Sequence, residues 1–217
     1  MTPDEYKALA TAAADKVFEN IEIELTQTMY AKDVDLQLLS EKEAQIPKEL
    51  VNFYKFTNGG KLSWEAPSAG IDEYGSCNIL PIVHLFDVTA VSLSQFADGI
   101  LINDNSERVI RSGFFRPVDF FVDEACVGYF SDGEDINELF YYDFGISFYS
   151  LKLDFEGYFK LMAEVAAYAY WQQALLVVEY NYPTDIVQKL KTGMGKLFPQ
   201  FDWETFVQNY QKLKIKV

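Results

Sequence analysis

The sequence contains one histidine and two cysteines, and both shortages exclude common kinds of site. A Ser-His-Asp triad would have to use His84 with Asp87, but apolar residues surround this histidine and favour a structural role. A zinc site would need more ligands than His84 and the distant Cys77 and Cys126 can provide. We therefore predict no catalytic residue, no metal and no cofactor.

Long apolar runs and leader-like features are also missing. The N-terminus has neither the basic nor the apolar region of a signal peptide. The longest apolar stretch, at 161–178, is interrupted by polar residues and is shorter than the roughly 20 residues that span a bilayer. Two cysteines are few for a secreted scaffold, so we predict reduced thiols. Together these features predict a cytoplasmic protein without a membrane partner.

Basic residues are scarce, with 18 Lys and Arg against 33 Asp and Glu and a net charge of −15. Nucleic acids and anionic membranes would repel this charge, whereas a basic protein would be attracted. Residues 61–170 carry 18 acids and 6 bases, but residues 171–217 carry 4 acids and 6 bases. This asymmetry predicts a domain over 1–170 and a helical extension over 171–217 that packs on it.

Helical spacing of apolar residues and capping signals predict several helices. Pro47 at a first turn and Asn58-Gly59-Gly60 as a stop bound one of them. Asp154 begins a long helix that we expect to continue to residue 178. Four other helices are predicted. One covers residues 4–19, and one begins at Ser40 in a capping box. The last two begin near Asp185 and near Asp202.

Alternating patterns between residues 60 and 150 predict short strands joined by turns. Residues 21–30 fit either a strand or a continued helix. The predicted strands lie at 100–102 and 108–110 (a hairpin), 118–122, 126–130, 139–142 and 146–149. We therefore predict an α+β fold with a central, mainly antiparallel sheet of about six strands, flanked by N-terminal and C-terminal helices.

The segment 46–60 has the order Ile-Pro, an apolar and aromatic helix, and Asn-Gly-Gly. It resembles the signature helix of the SUKH superfamily, which includes fungal cell-wall-assembly regulators and many bacterial proteins. Stretches at 139–143 and 150–159 are similar to later parts of that family, so the resemblance covers about 40–170. The matched positions of structural importance are Pro47, Phe53, Tyr54, Asn58, Gly59 and Gly60.

The resemblance implies an α+β fold that works by binding proteins and has no catalytic residue. Many bacterial members look like immunity proteins, which neutralise a toxin delivered by a competing cell. We expect such a role here, against a basic toxin domain such as a nuclease. Two alternatives stay open: a regulatory scaffold closer to the fungal proteins, and a hydrolase with an acidic site.

An acidic segment from Asp119 to Asp143 is the main candidate for the binding surface, since no Lys or Arg lies between Arg116 and Lys152. Aromatic residues interleave with its acids, as in many interfaces. The alternative is a solvated strand face with two loop tips. Trp64, in a polar stretch, is a candidate interface anchor. With Trp64, the predicted partner-binding residues are Asp119, Asp123, Glu124, Asp132, Glu134 and Asp135.

Overall fold

The structure, a computed structural model, describes residues 22–26, 33–65, 73–87, 114–133, 136–143 and 147–216. The predicted helix at 4–19 and the predicted hairpin at 100–110 lie outside these residues, and so do Glu134 and Asp135.

The described strands form one seven-stranded antiparallel sheet, in which each strand pairs with the next along the chain. This meander confirms the predicted α+β class. The ambiguous segment at 21–30 contains a strand, which pairs through Ile23 with Trp64. The strands are β1 (Glu22–Thr26), β2 (Gly60–Glu65), β3 (Tyr74–Ile79), β4 (Phe115–Val122), β5 (Ala125–Phe130), β6 (Phe140–Asp143) and β7 (Ser147–Ser150).

The described residues form seven helices, three of them between strands of the sheet and four after its last strand. They are α1 (Asp33–Lys42), α2 (Lys48–Tyr54), α3 (Ile82–Asp87), α4 (Phe155–Glu164), α5 (Trp171–Tyr180), α6 (Ile186–Leu197) and α7 (Trp203–Leu213), with a 3-10 turn at Glu43–Gln45 between the first two. None of these helices has the length and apolar character needed to cross a membrane.

The first described helix begins earlier than predicted. Ser40 lies in the last turn of α1 and caps nothing, so the predicted helix start at this residue is wrong. Acidic Asp33 and Asp35 occupy the first turn instead, where the helix dipole favours negative charge. Leu39, which precedes Ser40 in this helix, is already buried in the core.

The long helix predicted from Asp154 to residue 178 is two helices. Its start is confirmed, because the Asp154 side chain accepts a hydrogen bond from the Gly157 N–H at 2.7 Å. However, Ala166, Ala167 and Tyr170 adopt φ of 50°, 52° and 59°, and these left-handed conformations end α4 and delay α5. Non-glycine residues adopt this conformation only where their surroundings impose it.

Pairing with β3 imposes the break between the two helices. The Ser76 N–H donates to Ala167 O at 2.8 Å, and the Ala169 N–H donates to Tyr74 O at 2.9 Å. A bridge from Gly75 to Tyr168 lies between them. The link between α4 and α5 therefore extends the sheet at β3. Long-range backbone pairing overrides the local helical pattern.

Residues buried on the two faces of the sheet form separate clusters. Along β5, Val127 and Tyr129 belong to the main core, whereas Cys126 and Phe130 belong to a second, aromatic cluster. Successive residues of a strand point to opposite faces, which explains the division. The helices after residue 171 contribute to the main core through Trp171, Phe206, Tyr210 and several aliphatic residues.

Candidate functional site

The acidic residues predicted as one surface lie at two ends of the sheet. Asp123 and Glu124 are exposed in the turn between β4 and β5, and Asp132 is exposed in the turn after β5. Strand β5 separates these turns by roughly 20 Å, because a strand rises about 3.3 Å per residue. The described acids of this segment therefore do not form one continuous surface, since successive hairpin turns fall at opposite ends of a meander.

Two predicted interface residues are buried, and neither is available to a partner. Trp64 is 2% exposed. It lies in β2 and not in a loop, and its Nε1–H donates to Ala166 O at 2.7 Å. Asp119 is 0% exposed. Trp64 and Asp119 are therefore not interface residues, as predicted, but core residues. The alternation of side chains along each strand turns both of them towards the helices.

Asp119 is part of a buried polar network at the centre of the sheet. Its carboxylate accepts hydrogen bonds from the Asn78 N–H and the Tyr158 hydroxyl, each at 2.7 Å. The Gln172 Nε2 donates to the Tyr158 hydroxyl at 2.8 Å. Burial raises the pKa of Asp119 to about 6, and the two hydrogen bonds limit the increase. The buried site therefore disfavours the charged form of this carboxyl, compared with an aspartate in water.

The two cysteines lie near this network and form no disulfide. Burial raises the pKa of both Cys77 and Cys126, and the neighbouring Asp119 carboxylate acts in the same direction. Both thiols are therefore protonated and unreactive at neutral pH.

Polar residues of the segment 46–60 contact the chain where β3 ends. The Tyr54 hydroxyl donates to Leu80 O at 2.6 Å, and Asn58 Oδ1 accepts from the Ile82 N–H at 2.8 Å. Gly59 adopts φ +85° with Ile79 O only 2.5 Å from where a Cβ would lie. These positions hold the connection from β3 to α3. We call this end of the sheet, with Gly60 and Asp132, the motif end.

The opposite end of the sheet collects a different set of carboxylates. Glu65 lies opposite Tyr74 in the neighbouring strand, and Ala125 lies opposite Asp143. These pairings bring the strand ends together. We call this the acidic end and define it by six exposed or half-buried carboxylates, those of Glu65, Glu73, Asp123, Glu124, Asp143 and Asp185.

Tyrosine hydroxyls donate to three of the six carboxylates. Tyr168 donates to Glu73 and Tyr170 to Glu124. The Tyr182 hydroxyl donates to Asp143 Oδ2 at 3.1 Å. Partial burial, together with the Asp143 carboxylate, raises the pKa of Tyr182 to about 12. These phenols therefore stay neutral and keep donating to the carboxylates.

A pocket of about 430 Å³ opens at the acidic end. The link between α4 and α5 forms one wall with Tyr168, Ala169 and Tyr170, and the start of α6 forms another with Asp185 and Lys189. Lys189 is the single base among the lining residues, and its Nζ lies 3.2 Å from Asp185 Oδ2. The volume falls within the usual range of ligand pockets.

Sequence reasoning missed Glu73, Tyr168, Tyr170 and Asp185 as site residues. A usable signal was the spacing of Tyr168 and Tyr170, since residues two apart do not share a face of a helix. In the link between α4 and α5, both side chains line the same pocket. The partnership of Glu73 with a residue 95 positions away had no local signal.

Within the described residues, no group of three or more His, Cys, Asp or Glu side chains is placed to hold a metal ion. His84 is exposed on α3. No family model, no curated protein and no solved structure matches this chain.

Proposed function

We propose that this protein is a non-catalytic binding protein that captures a basic protein in the cytoplasm through its acidic end. The observation that carries the proposal is the group of three tyrosine–carboxylate pairs at this end, and two of their tyrosines, Tyr168 and Tyr170, line a pocket. Tyrosines and charged rims are typical of protein interfaces. Given the resemblance to SUKH proteins, we further propose that the partner is a toxin that this chain neutralises.

Charge supports a basic partner. The chain carries a net charge of −15, and Asp123 and Glu124 are exposed at the acidic end. Opposite charge across an interface accelerates encounter and rejects partners of the wrong sign. Exposed carboxylates contribute to the rate of association, and the tyrosines supply contact area.

The partners of the pocket carboxylates favour binding over hydrolysis. Hydrolysis by paired acids needs two carboxyl groups that face the substrate with different proton affinities. Glu73 already accepts from Tyr168, and Asp185 is paired with Lys189. None of the described acids between Asp119 and Asp143 is among the residues that line this pocket.

The test compares two variants with the same change in net charge. The acidic-end variant is Asp123→Lys/Glu124→Lys, and the control is Asp132→Lys/Glu43→Lys, whose native residues are exposed outside the acidic end. Each full-length chain is immobilised and exposed to lysate of the native cell, and retained proteins are quantified by mass spectrometry. We expect a basic protein that wild type and control retain and that the acidic-end variant retains at least tenfold less. Equal retention by all three, or equal loss in both variants, would contradict the proposal.

Neutralisation is tested with the retained protein itself. Its expression alone should arrest growth of a recipient cell, and co-expression with the wild-type chain should restore it. Co-expression with Asp123→Lys/Glu124→Lys should fail to restore growth. A retained protein that is harmless on its own would limit the function to binding and remove the toxin from the proposal.

A further inference from the structure

The pocket at the acidic end has walls of two chemical kinds. Exposed Tyr74 and partly exposed Tyr170 supply aromatic surface, Tyr168 lines the pocket but is only 3% exposed, and Glu73 and Asp185 supply carboxylates. Tyr74 is 38% exposed, so its ring is accessible to a ligand in this pocket. Aromatic faces beside carboxylates favour a cation and disfavour an anion.

The backbone that builds this wall is strained. Ala166, Ala167 and Tyr170 account for three of the five non-glycine residues with positive φ among the described residues. Such conformations cost about 1–3 kcal/mol each and persist where the surrounding structure maintains them. The strain places Tyr168, Ala169 and Tyr170 at the pocket.

The electrostatics of the tyrosines indicate negative potential in the pocket. Burial raises the pKa of Tyr168, and Glu73 and Asp185 raise it further. Burial likewise raises the pKa of Tyr170, with Glu124 and Tyr74 acting in the same direction. Carboxylates on both sides therefore oppose any further negative charge there.

A cation of the protein already lies in this pocket. Lys189 lines it and contacts Asp185 at 3.2 Å, although both side chains are more than half exposed. An exposed pair one helical turn apart contributes only a few tenths of a kcal/mol, so an incoming cation can replace it. Lys189 is thus a weak internal competitor.

We propose that this pocket binds the guanidinium group of an arginine side chain of the partner protein. The proposal rests on the proposed function and names the side chain that its site recognises. A planar guanidinium packs on tyrosine rings and donates to several acceptors at once, which an ammonium group does less well. Glu73 and Asp185 on the pocket wall provide carboxylate acceptors. The Gln173 Oε1 on the same wall accepts from the Thr184 hydroxyl at 2.9 Å and keeps a second lone pair for the guanidinium.

The first test uses three capped tripeptides, Gly-Arg-Gly, Gly-Lys-Gly and Gly-citrulline-Gly, and the ¹⁵N-labelled full chain. Citrulline has nearly the shape of arginine without its charge. We expect amide shifts at 168–170 and 184–189 with the arginine peptide, at least threefold weaker binding of the lysine peptide and at least tenfold weaker binding of the citrulline peptide. Equal affinity for all three, or shifts confined to other residues, would overturn the proposal.

The second test uses variants with opposite expected effects. Tyr170→Asn keeps a residue that accepts positive φ but removes the ring, and should weaken arginine-peptide binding at least fivefold. Lys189→Met removes the competing cation and should strengthen it about threefold. Lys191→Met is the matched control, because Lys191 lies over the Trp203 ring at 5.3 Å outside the pocket. Weaker binding by Lys189→Met would contradict the proposal, and a urea unfolding curve checks each fold.

Failure of this proposal is distinguishable from failure of the proposed function. If Tyr170→Asn retains the native partner while Asp123→Lys/Glu124→Lys loses it, the acidic end binds the partner without the pocket. If both variants retain the partner, both proposals are wrong.

Discussion

The two ends of the sheet treat their carboxylates differently. At the motif end, Glu138 is 6% exposed and its carboxylate lies 3.4 Å from Lys152 Nζ. At the acidic end, Asp123 and Glu124 are exposed to solvent. Polar side chains of the motif end, such as Tyr54 and Asn58, bond to backbone groups of the fold. Those of the acidic end bond mainly to other side chains at its surface. One end therefore holds the fold together, and the other exposes its carboxylates to solvent.

This difference predicts that substitutions at the motif end change stability, while substitutions at the acidic end change binding. A buried backbone group that loses its hydrogen-bond partner lowers stability by its full desolvation free energy. An exposed carboxylate that loses its partner is hydrated instead, so the loss of stability is small. The following predictions test this separation.

The largest effect is expected at Gly59. A Cβ at this residue would lie 2.5 Å from Ile79 O and 2.8 Å from Pro81 N, and the native φ is +85°. Strain and overpacking together predict that Gly59→Ala lowers the free energy of unfolding by about 4 kcal/mol. Urea unfolding measures this change. Gly195→Ala is the control, since nothing lies within 4 Å of its added Cβ, and a helical glycine replaced by alanine gains about 1 kcal/mol. Equal effects of the two substitutions would contradict the structural role of the motif end.

A smaller, pH-dependent effect is expected at Asp119, between the two ends. Its pKa is about 6 in the folded chain and about 4 when unfolded, so the folded state binds the proton more tightly. Its contribution to stability is therefore fully present below about pH 4 and is lost as pH rises through about 6, a difference of about 3 kcal/mol. Asp119→Asn should gain most of this amount relative to wild type between pH 4 and pH 7.

Urea unfolding across this pH range measures the effect at Asp119. Exposed Asp132 provides the control, since Asp132→Asn should follow the wild-type pH profile. Parallel profiles for wild type and Asp119→Asn would show that the buried carboxyl does not titrate as described.

The smallest effects distinguish two tyrosine hydroxyls. Tyr54→Phe removes a hydrogen bond to Leu80 O from a side chain 1% exposed and should cost about 1.5 kcal/mol. Tyr182→Phe removes one to the half-exposed Asp143 and should cost about 0.5 kcal/mol. Thermal unfolding compares them directly. A larger loss of stability in Tyr182→Phe than in Tyr54→Phe would show that the acidic end also stabilises the fold, and would contradict the division between the two ends.

The alternating strands and the cap at Asp154 were predictable because their signals are local. The β5 strand alternates between two buried clusters, and Asp154 satisfies the Gly157 N–H three residues later. The break at Ala166 was not predictable from helical spacing, since backbone groups of β3 cause it.

The candidate site was only partly predictable for the same reason. Asp123 and Glu124 are exposed in a turn, as a local charge pattern indicates. Asp119 has the same residue type but is buried where a single ladder pair joins β3 to β4, and its carboxylate accepts the Asn78 N–H. Whether an acid faces solvent or completes a sheet depends on contacts between distant strands.

Hydrogen exchange of the full chain, free and bound to the basic protein that it retains from lysate, tests the division between the two ends most directly. We expect slower amide exchange on binding at 123–124, 168–170 and 184–189, with unchanged exchange at 58–60, 79–82 and 131–133. Protection confined to the motif end, with the acidic end unchanged, would contradict the account.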